Sequence, residues 1–266
     1  MTVRDAAARG FQRGADDYEA ARPGYPPEVV ALLVDALGLG PGRRVLDLAA
    51  GTGKLTRLLV PSGAEVVAVE PVAAMRSELA ERVPGAEVLE GTAEALPLPD
   101  ASVDAAVVAQ AFHWFDAPVA LAELHRCLRP GGGLALVWNV RDESVDWVRR
   151  FGELLVEAAA GDPASAEFRA TGKPYDEGVD WAELLAATGG WSPVERSVVR
   201  WEQPVDPELL VRRAASTSFV SALPDAARAA ALDRVRDLAA THPQLAGRPR
   251  FGFPHETVVH RCRSTA

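Results

Sequence analysis

The run Val45-Leu46-Asp47-Leu48-Ala49-Ala50-Gly51-Thr52-Gly53-Lys54 constrains the fold more than any other stretch of the chain. Val45 to Leu48 reads as a buried strand, and it passes directly into a glycine turn. Leu55-Thr56-Arg57-Leu58-Leu59-Val60 then reads as the start of a helix. A strand that ends in glycines and opens a helix is a shape that binds nucleotides. Gly51 and Gly53 lack a Cβ, so a ligand can approach their backbone and φ > 0 is allowed. The helix start behind them offers free N–H groups. Glu70 stands seventeen residues after Gly53, at the tip of a second apolar run, Val66-Val67-Ala68-Val69. An acid at the end of the second strand, at about that distance, is placed to take both hydroxyls of a ribose.

The turn is not the dinucleotide fingerprint. That pattern needs a third small residue three positions after the second glycine, and here Lys54, Leu55 and Thr56 follow Gly53. It is not a phosphate loop either, because the four-residue spacing between glycines is missing. A ribose-binding acid with little provision for phosphate suits a nucleoside ligand without a pyrophosphate.

Strand and helix patterns alternate around this turn. Glu28–Leu39 has helical spacing, with Pro26-Pro27 as a start signal and Gly38 or Gly40 as a stop. Strands are expected at 43–49, 65–70, 86–90 and 103–109, with helices at 54–60, 72–82 and 117–128. Pro130-Gly131-Gly132-Gly133 reads as a tight turn into a strand at 134–139. This order predicts an α/β protein with a doubly wound, parallel sheet. Farther on, helices are expected at 142–160 and 181–188, a loop at 162–178 and a strand at 194–202. Two helices, about 207–221 and 225–241, precede a final strand at 255–263. The late helices, about 203–254, are expected to form a cap over the strand ends together with an N-terminal arm, 1–27. The whole chain, 1–266, is expected to be one domain.

The 266 residues carry a net charge of -9, and no clustered basic patch marks a nucleic-acid partner. Arg43-Arg44, Arg149-Arg150 and Arg212-Arg213 are isolated pairs on solvated faces. The apolar fraction of 48% is enough for a full core. Cys127 and Cys262 have no zinc or disulfide spacing and read as reduced thiols. Residues 1–10 have no apolar signal segment, and no run is long enough to span a membrane. A cytoplasmic monomer or homodimer without a metal is the expectation.

Five segments in order carry a resemblance. They are the 45–53 run; Val69-Glu70-Pro71 with Met75; Gly91-Thr92-Ala93-Glu94-Ala95-Leu96-Pro97-Leu98-Pro99; Ala111-Phe112-His113-Trp114-Phe115; and Leu128-Arg129-Pro130-Gly131-Gly132. With them the chain resembles a class I S-adenosylmethionine-dependent methyltransferase. Within that superfamily it resembles the small-molecule group that includes trans-aconitate and quinone-biosynthesis methyltransferases. The likeness is strong over about 18–140 and looser beyond. It implies a Rossmann-like, seven-stranded, mainly parallel sheet with one antiparallel strand. It also implies S-adenosyl-L-methionine as cofactor and a small-molecule acceptor. The family usually has Gly or Cys where this chain has Ala49-Ala50; both alanines are small.

Candidate site residues follow from the two readings together. Asp47 either shapes the turn as a buried carboxylate or touches the cofactor. Ala49, Gly51 and Gly53 lie along the turn, and Glu70 takes the ribose. Pro71 and Met75 are expected to flank the adenine ring. The resemblance puts Thr92, Ala93 and Glu94 at the adenine edge and Gln110 and Ala111 at the methionine part. It also carries a Tyr…Arg-Pro-x-Tyr-Pro pattern, here Tyr18, Arg22, Pro23, Tyr25 and Pro26, in which the guanidinium holds the cofactor carboxylate. His113 and Trp114 are the acceptor-side candidates, with His113 as a base or Asp116 merely capping the next helix. Trp138, Ser218 and Phe219 are candidate pocket walls. His125, His242, His255 and His260 read as ordinary surface or strand histidines. Methyl transfer from a sulfonium is an in-line displacement, so the protein mainly aligns the partners and excludes water. The alternatives are a non-methylating or binding protein on the same fold, and a dinucleotide-dependent oxidoreductase.

Overall fold

A computed structural model of the protein describes residues 22–159 and 180–265. One seven-stranded sheet runs through it in the order β3-β2-β1-β4-β5-β7-β6. The strands are β1 (Arg44–Leu48), β2 (Glu65–Val69), β3 (Ala86–Leu89), β4 (Val103–Ala109), β5 (Leu128–Arg141), β6 (Glu195–Val205) and β7 (Phe251–Arg263). β1 pairs parallel with β2 and with β4, β2 with β3, and β4 with β5. An antiparallel hairpin closes one edge. The Rossmann-like, mainly parallel sheet expected from the sequence is therefore present.

The chain divides into two compact units. The sheet unit comprises 24–139, 178–199 and 257–266. Among the described residues, the helical unit comprises 22–23, 140–159 and 200–256. β5, β6 and β7 contribute residues to both.

In the sheet unit, α1 (Pro27–Leu37) begins at Pro26 and stops at Gly38, whose φ of 64° is left-handed. Its Val29, Leu33 and Leu37 pack with Val45, Val66, Ala105, Val107, Ala135, Val137 and Val259. Alternate residues of each strand supply that face, and β1, β2 and β4 are buried on both faces, as central parallel strands are. Each such Val or Leu contributes about 1.5–3 kcal/mol by leaving water. α2 (Thr56–Leu59) is a single turn that starts two residues later than expected and continues as a 3-10 turn at Val60–Ser62, which ends at Gly63. α3 (Ala73–Arg82) and α4 (Ala117–Cys127) follow β2 and β4. α6 (Trp181–Thr188) also belongs here.

The expected turn at Pro130–Gly133 is corrected: it lies inside β5. β5 advances from Leu128 to Gly133 while β4 advances only from Val103 to Ala105, so the glycines bulge out of a continuous strand.

The helical unit holds α5 (Asp146–Ala159), α7 (Pro207–Ala215), the short α8 (Ser218–Ser221) and α9 (Asp225–Thr241). α5 starts later than expected because the Asp142 carboxylate accepts from the Ser144 N–H and hydroxyl, which fixes a turn. The expected 207–221 helix breaks at Ser216. There the Ser216 and Thr217 hydroxyls bond back to the Arg213 carbonyl. Trp147, Phe151, Leu210, Val220, Val235 and Phe253 lead this unit's own core. β7 begins at Phe251 and carries Pro254 within it, four residues before the expected start. The expected loop at 162–178 lies outside the described residues.

Candidate functional site

The carboxyl ends of β1, β2, β3 and β4 share one edge of the sheet, because these strands run parallel. The chain leaves β1 toward β2 and β3 on one side and returns through β4 and β5 on the other. Ligands of open α/β sheets bind at such a switch point. Gln110 and Ala49, both at strand ends, hold left-handed φ angles of 59° and 55°. For residues with a Cβ this conformation carries strain, and it clusters at functional sites.

After β1 the turn is tied down by two bonds. The Ala50 N–H donates to the Val69 carbonyl at 3.2 Å, and the Gly53 N–H to the Ala50 carbonyl at 3.0 Å. Gly53 has φ 85°, and a Cβ there would come 3.0 Å from Val83 and 3.1 Å from Leu79. Its glycine is needed both for the backbone and for packing against α3. Gly51, at φ 59°, differs: a Cβ there would meet nothing within 4 Å. Open space lies above it.

Glu70 follows β2 directly and is only 4% exposed. Its Oε2 accepts from the Gly51 N–H at 2.9 Å, and its Oε1 from the Val72 N–H at 2.8 Å. Burial raises its pKa, and these two N–H groups oppose the rise. An ionised carboxylate offers about four lone-pair sites. One per oxygen is occupied by the backbone, which leaves one per oxygen for a pair of hydroxyls. Arg76 donates to the carbonyls of Glu70 (3.0 Å) and Pro71 (3.1 Å) and pairs with Glu90. It therefore clamps the backbone on which Glu70 is carried. Arg76 was not singled out in the sequence, where its signal is an arginine six residues after the acid and one turn into the helix.

Asp47 is 1% exposed and accepts from the Thr56 hydroxyl at 2.7 Å. Burial pushes its pKa up to about 7, against the Thr56 bond and with help from the Glu70 charge. Its turn-shaping reading is the one this bond expresses. Thr56, on the first residue of α2, was not singled out in the sequence.

The other candidates fall as follows. Pro71 is exposed and Met75 is buried in α3. Thr92 is exposed, Ala93 is buried, and Glu94 accepts from the Asp116 N–H at 3.0 Å. The Gln110 N–H donates to the Val137 carbonyl at 2.9 Å, and Ala111 is buried beside it. His113 lies in a 3-10 turn, Phe112–Trp114, with its ring 4.7 Å from that of Trp114. Burial lowers its pKa to about 4. Asp116 is the N-cap of α4.

Trp138 is 1% exposed and stacks on Trp181 at 4.5 Å, so it is a core side chain without surface to offer a ligand. In the helical unit, Arg22 donates to the Ser216 carbonyl at 2.8 Å and Phe219 is packed against the core. Tyr18 and the Ser218 side chain lie outside what the structure describes. His255 and His260 are strand histidines, as one of the two readings has it. Both are buried, His260 beside Trp138 and His255 against Arg213. A cavity of about 1080 Å³ sits in the helical unit, lined by Val211, Leu232 and Leu245 among others. Among the described residues, no group of three His, Cys, Asp or Glu is arranged to hold a metal, and no helix is long and apolar enough to cross a membrane.

Residues 46–136 match the family model for the methyltransferase domain. An uncharacterized methyltransferase of Mycobacterium tuberculosis is 43% identical over 252 residues, which is 95% of this chain and 94% of that protein. The chain belongs to the class I S-adenosylmethionine-dependent methyltransferases. As an enzyme, it transfers methyl groups. Solved structures agree on the fold. One is a protein of Anabaena variabilis assigned as a methyltransferase of an antibiotic biosynthesis pathway. It has a TM-score of 0.63 at 21% identity and covers 93% of this chain and 99% of its own. Another is phosphoethanolamine N-methyltransferase 2 of Haemonchus contortus, solved with phosphomonomethylethanolamine and S-adenosylhomocysteine. Its TM-score is 0.60 at 14% identity, over 100% of this chain and 61% of that one. The family settles the dinucleotide alternative against an oxidoreductase.

Proposed function

We propose that the protein moves the methyl group of S-adenosylmethionine to a small-molecule acceptor, with the cofactor held at the strand ends of the sheet unit. The observation that carries this reading is Glu70. Two backbone N–H groups fix its carboxylate, each oxygen keeps a further lone pair, and the neighbouring Gly51 faces open space. Glu70 takes the two ribose hydroxyls. The Gly51 turn lets the nucleoside approach the backbone, and Asp47 with Thr56 keeps that turn in shape. Pro71, Met75 and the Thr92–Glu94 loop flank the base, and Gln110 and Ala111 border the methionine part.

When bound, S-adenosylmethionine supplies a methyl already activated on a cationic sulfur. The protein needs to align the acceptor in line with it and exclude water. A proton acceptor works best with a pKa near the working pH. His113, at about 4, is held as a neutral imidazole and is a weak base. We assign it to positioning, together with Trp114. The acceptors that fit are those that arrive as nucleophiles already, such as carboxylates or stabilised carbanions.

The test is turnover. The protein is incubated with S-adenosylmethionine and a panel of carboxylates, phenols and amines, and products are read by mass spectrometry. The reading expects S-adenosylhomocysteine together with a product heavier by one methylene, on a carboxylate or activated carbon. S-adenosylhomocysteine no higher than in the acceptor-free control across the panel would refute it.

A further inference from the structure

In the helical unit a positive charge is buried with no negative partner among the described residues. Arg213, on α7, is 9% exposed. Its Nη1 donates to the Gln203 Oε1 at 2.6 Å, and its Nη2 lies 2.6 Å from the His255 Nε2. His255 Nδ1 is 2.7 Å from the Phe253 carbonyl, an acceptor only, so Nδ1 carries the proton and Nε2 accepts from Arg213. One side of the guanidinium lies 4.2 Å from the centre of the Phe253 ring. Trp201 stacks on His255 at 5.0 Å and holds it in place. Both polar partners of Arg213 are neutral. No carboxylate lies against it among the described residues.

That arrangement is unusual for a buried charge. Buried guanidinium groups are paired, because taking the charge out of water is costly unless an anion returns the energy. Here the neighbours make matters worse. Burial first, and then the Arg22 and Arg141 charges, disfavour the charged form of Arg213. Arg213 and Arg141 also disfavour a proton on His255, whose pKa burial already takes to about 3. A guanidinium has five N–H donors in a plane, and two are used. The remainder match the paired oxygens of a carboxylate or a phosphate.

We propose that Arg213, with Gln203 and His255 fixing its plane, is the binding residue for an anionic small molecule, whose carboxylate or phosphate group supplies the missing counter-charge. The proposal goes beyond the methyl-transfer reading and does not depend on it.

Thermal unfolding and calorimetry test it with succinate and inorganic phosphate as probes. Neutral succinamide and sodium chloride at matched ionic strength serve as controls. Wild type should be stabilised saturably by one or both anions and not by the controls. A response to succinate alone identifies a carboxylate site, and a response to phosphate alone a phosphate site. Arg213→Gln should weaken the responsive anion by about tenfold or more, as loss of a charged hydrogen-bond partner does. Gln203→Glu provides a check that does not depend on removing the arginine. It builds a carboxylate into the site, so it should raise the melting temperature and abolish the response to anions. S-adenosylmethionine titration of each variant reports folding of the sheet unit and separates this proposal from the cofactor assignment. If wild type responds to the anions no more than to sodium chloride, the site does not exist. The same holds if Gln203→Glu leaves both melting temperature and anion response as in wild type.

Discussion

Glu70 and Arg213 are both buried charges, and the protein treats them in opposite ways. Glu70 receives two backbone N–H groups, and its neighbour Asp47 receives a hydroxyl. Arg213 receives a side-chain amide oxygen and an imidazole nitrogen, and adds two more cations nearby. The acids are solvated by donors built into the turn that they serve. The cation is held by neutral acceptors, with no carboxylate against it among the described residues. A charge satisfied within the fold is part of the scaffold as well as of a binding site, so its removal disturbs both. A charge held only by neutral acceptors costs the fold those hydrogen bonds but relieves buried charge when it is removed, and it costs a bound anion its counter-charge.

The largest effect should come from Glu70→Ala. It removes the ribose acceptor and releases the Gly51 and Val72 N–H groups. Affinity for S-adenosylmethionine should fall by about 1.5–3 kcal/mol, the range for hydrogen bonds to charged groups. Unchanged affinity by calorimetry would remove Glu70 from the cofactor site. Next comes Thr56→Val, which strips Asp47 of its hydroxyl donor in the core. Denaturant unfolding should show a loss of about 1–3 kcal/mol, as for a buried acceptor left unmade.

Asp47 also gives a pH signature. Its carboxyl is raised from 3.8 to about 7. Between those values the folded protein binds more protons than the unfolded chain, so this contribution to stability falls as pH rises. Asp47→Asn titrates in neither state. The stability of wild type minus that of the variant should decline from about pH 4 to about pH 7 and level off above. A flat difference would show that Asp47 is ionised throughout. The smallest net effect belongs to Arg213→Met without added anions. It removes a buried charge but leaves the His255 Nε2 acceptor unmade, so the two changes oppose and the net loss should stay below that of Thr56→Val. A loss as large as that of Thr56→Val would erase the contrast between the two charges.

The legible parts of the chain were those set by local pattern. The apolar runs of β1 and β2, the glycine turn between them and the acid that follows are all readable from residue order alone. Side-chain partnerships across the fold were not legible. Asp47 and Thr56 meet because β1 presents Asp47 on the face beneath which α2 begins, and nothing in their spacing alone says so. Pro130–Gly133 resembles a turn, yet pairing with β4 on both sides keeps it in one strand. The burial of His255 was not legible for a similar reason. The proline at 254 suggested a later strand start, which hid that Phe251, Phe253, His255, Thr257 and Val259 alternate onto one buried face. Arg213 looked like half of a solvated Arg212-Arg213 pair, because burial on one face of α7 is a tertiary fact.

The most direct measurement for the central claim is a calorimetric titration of the wild-type protein with S-adenosylmethionine, run beside one with NADH. A cofactor site built on Glu70 and the Gly51 turn predicts saturable binding of one S-adenosylmethionine per chain and no binding of NADH. Binding of NADH, or no saturable binding of S-adenosylmethionine by folded protein, would contradict it.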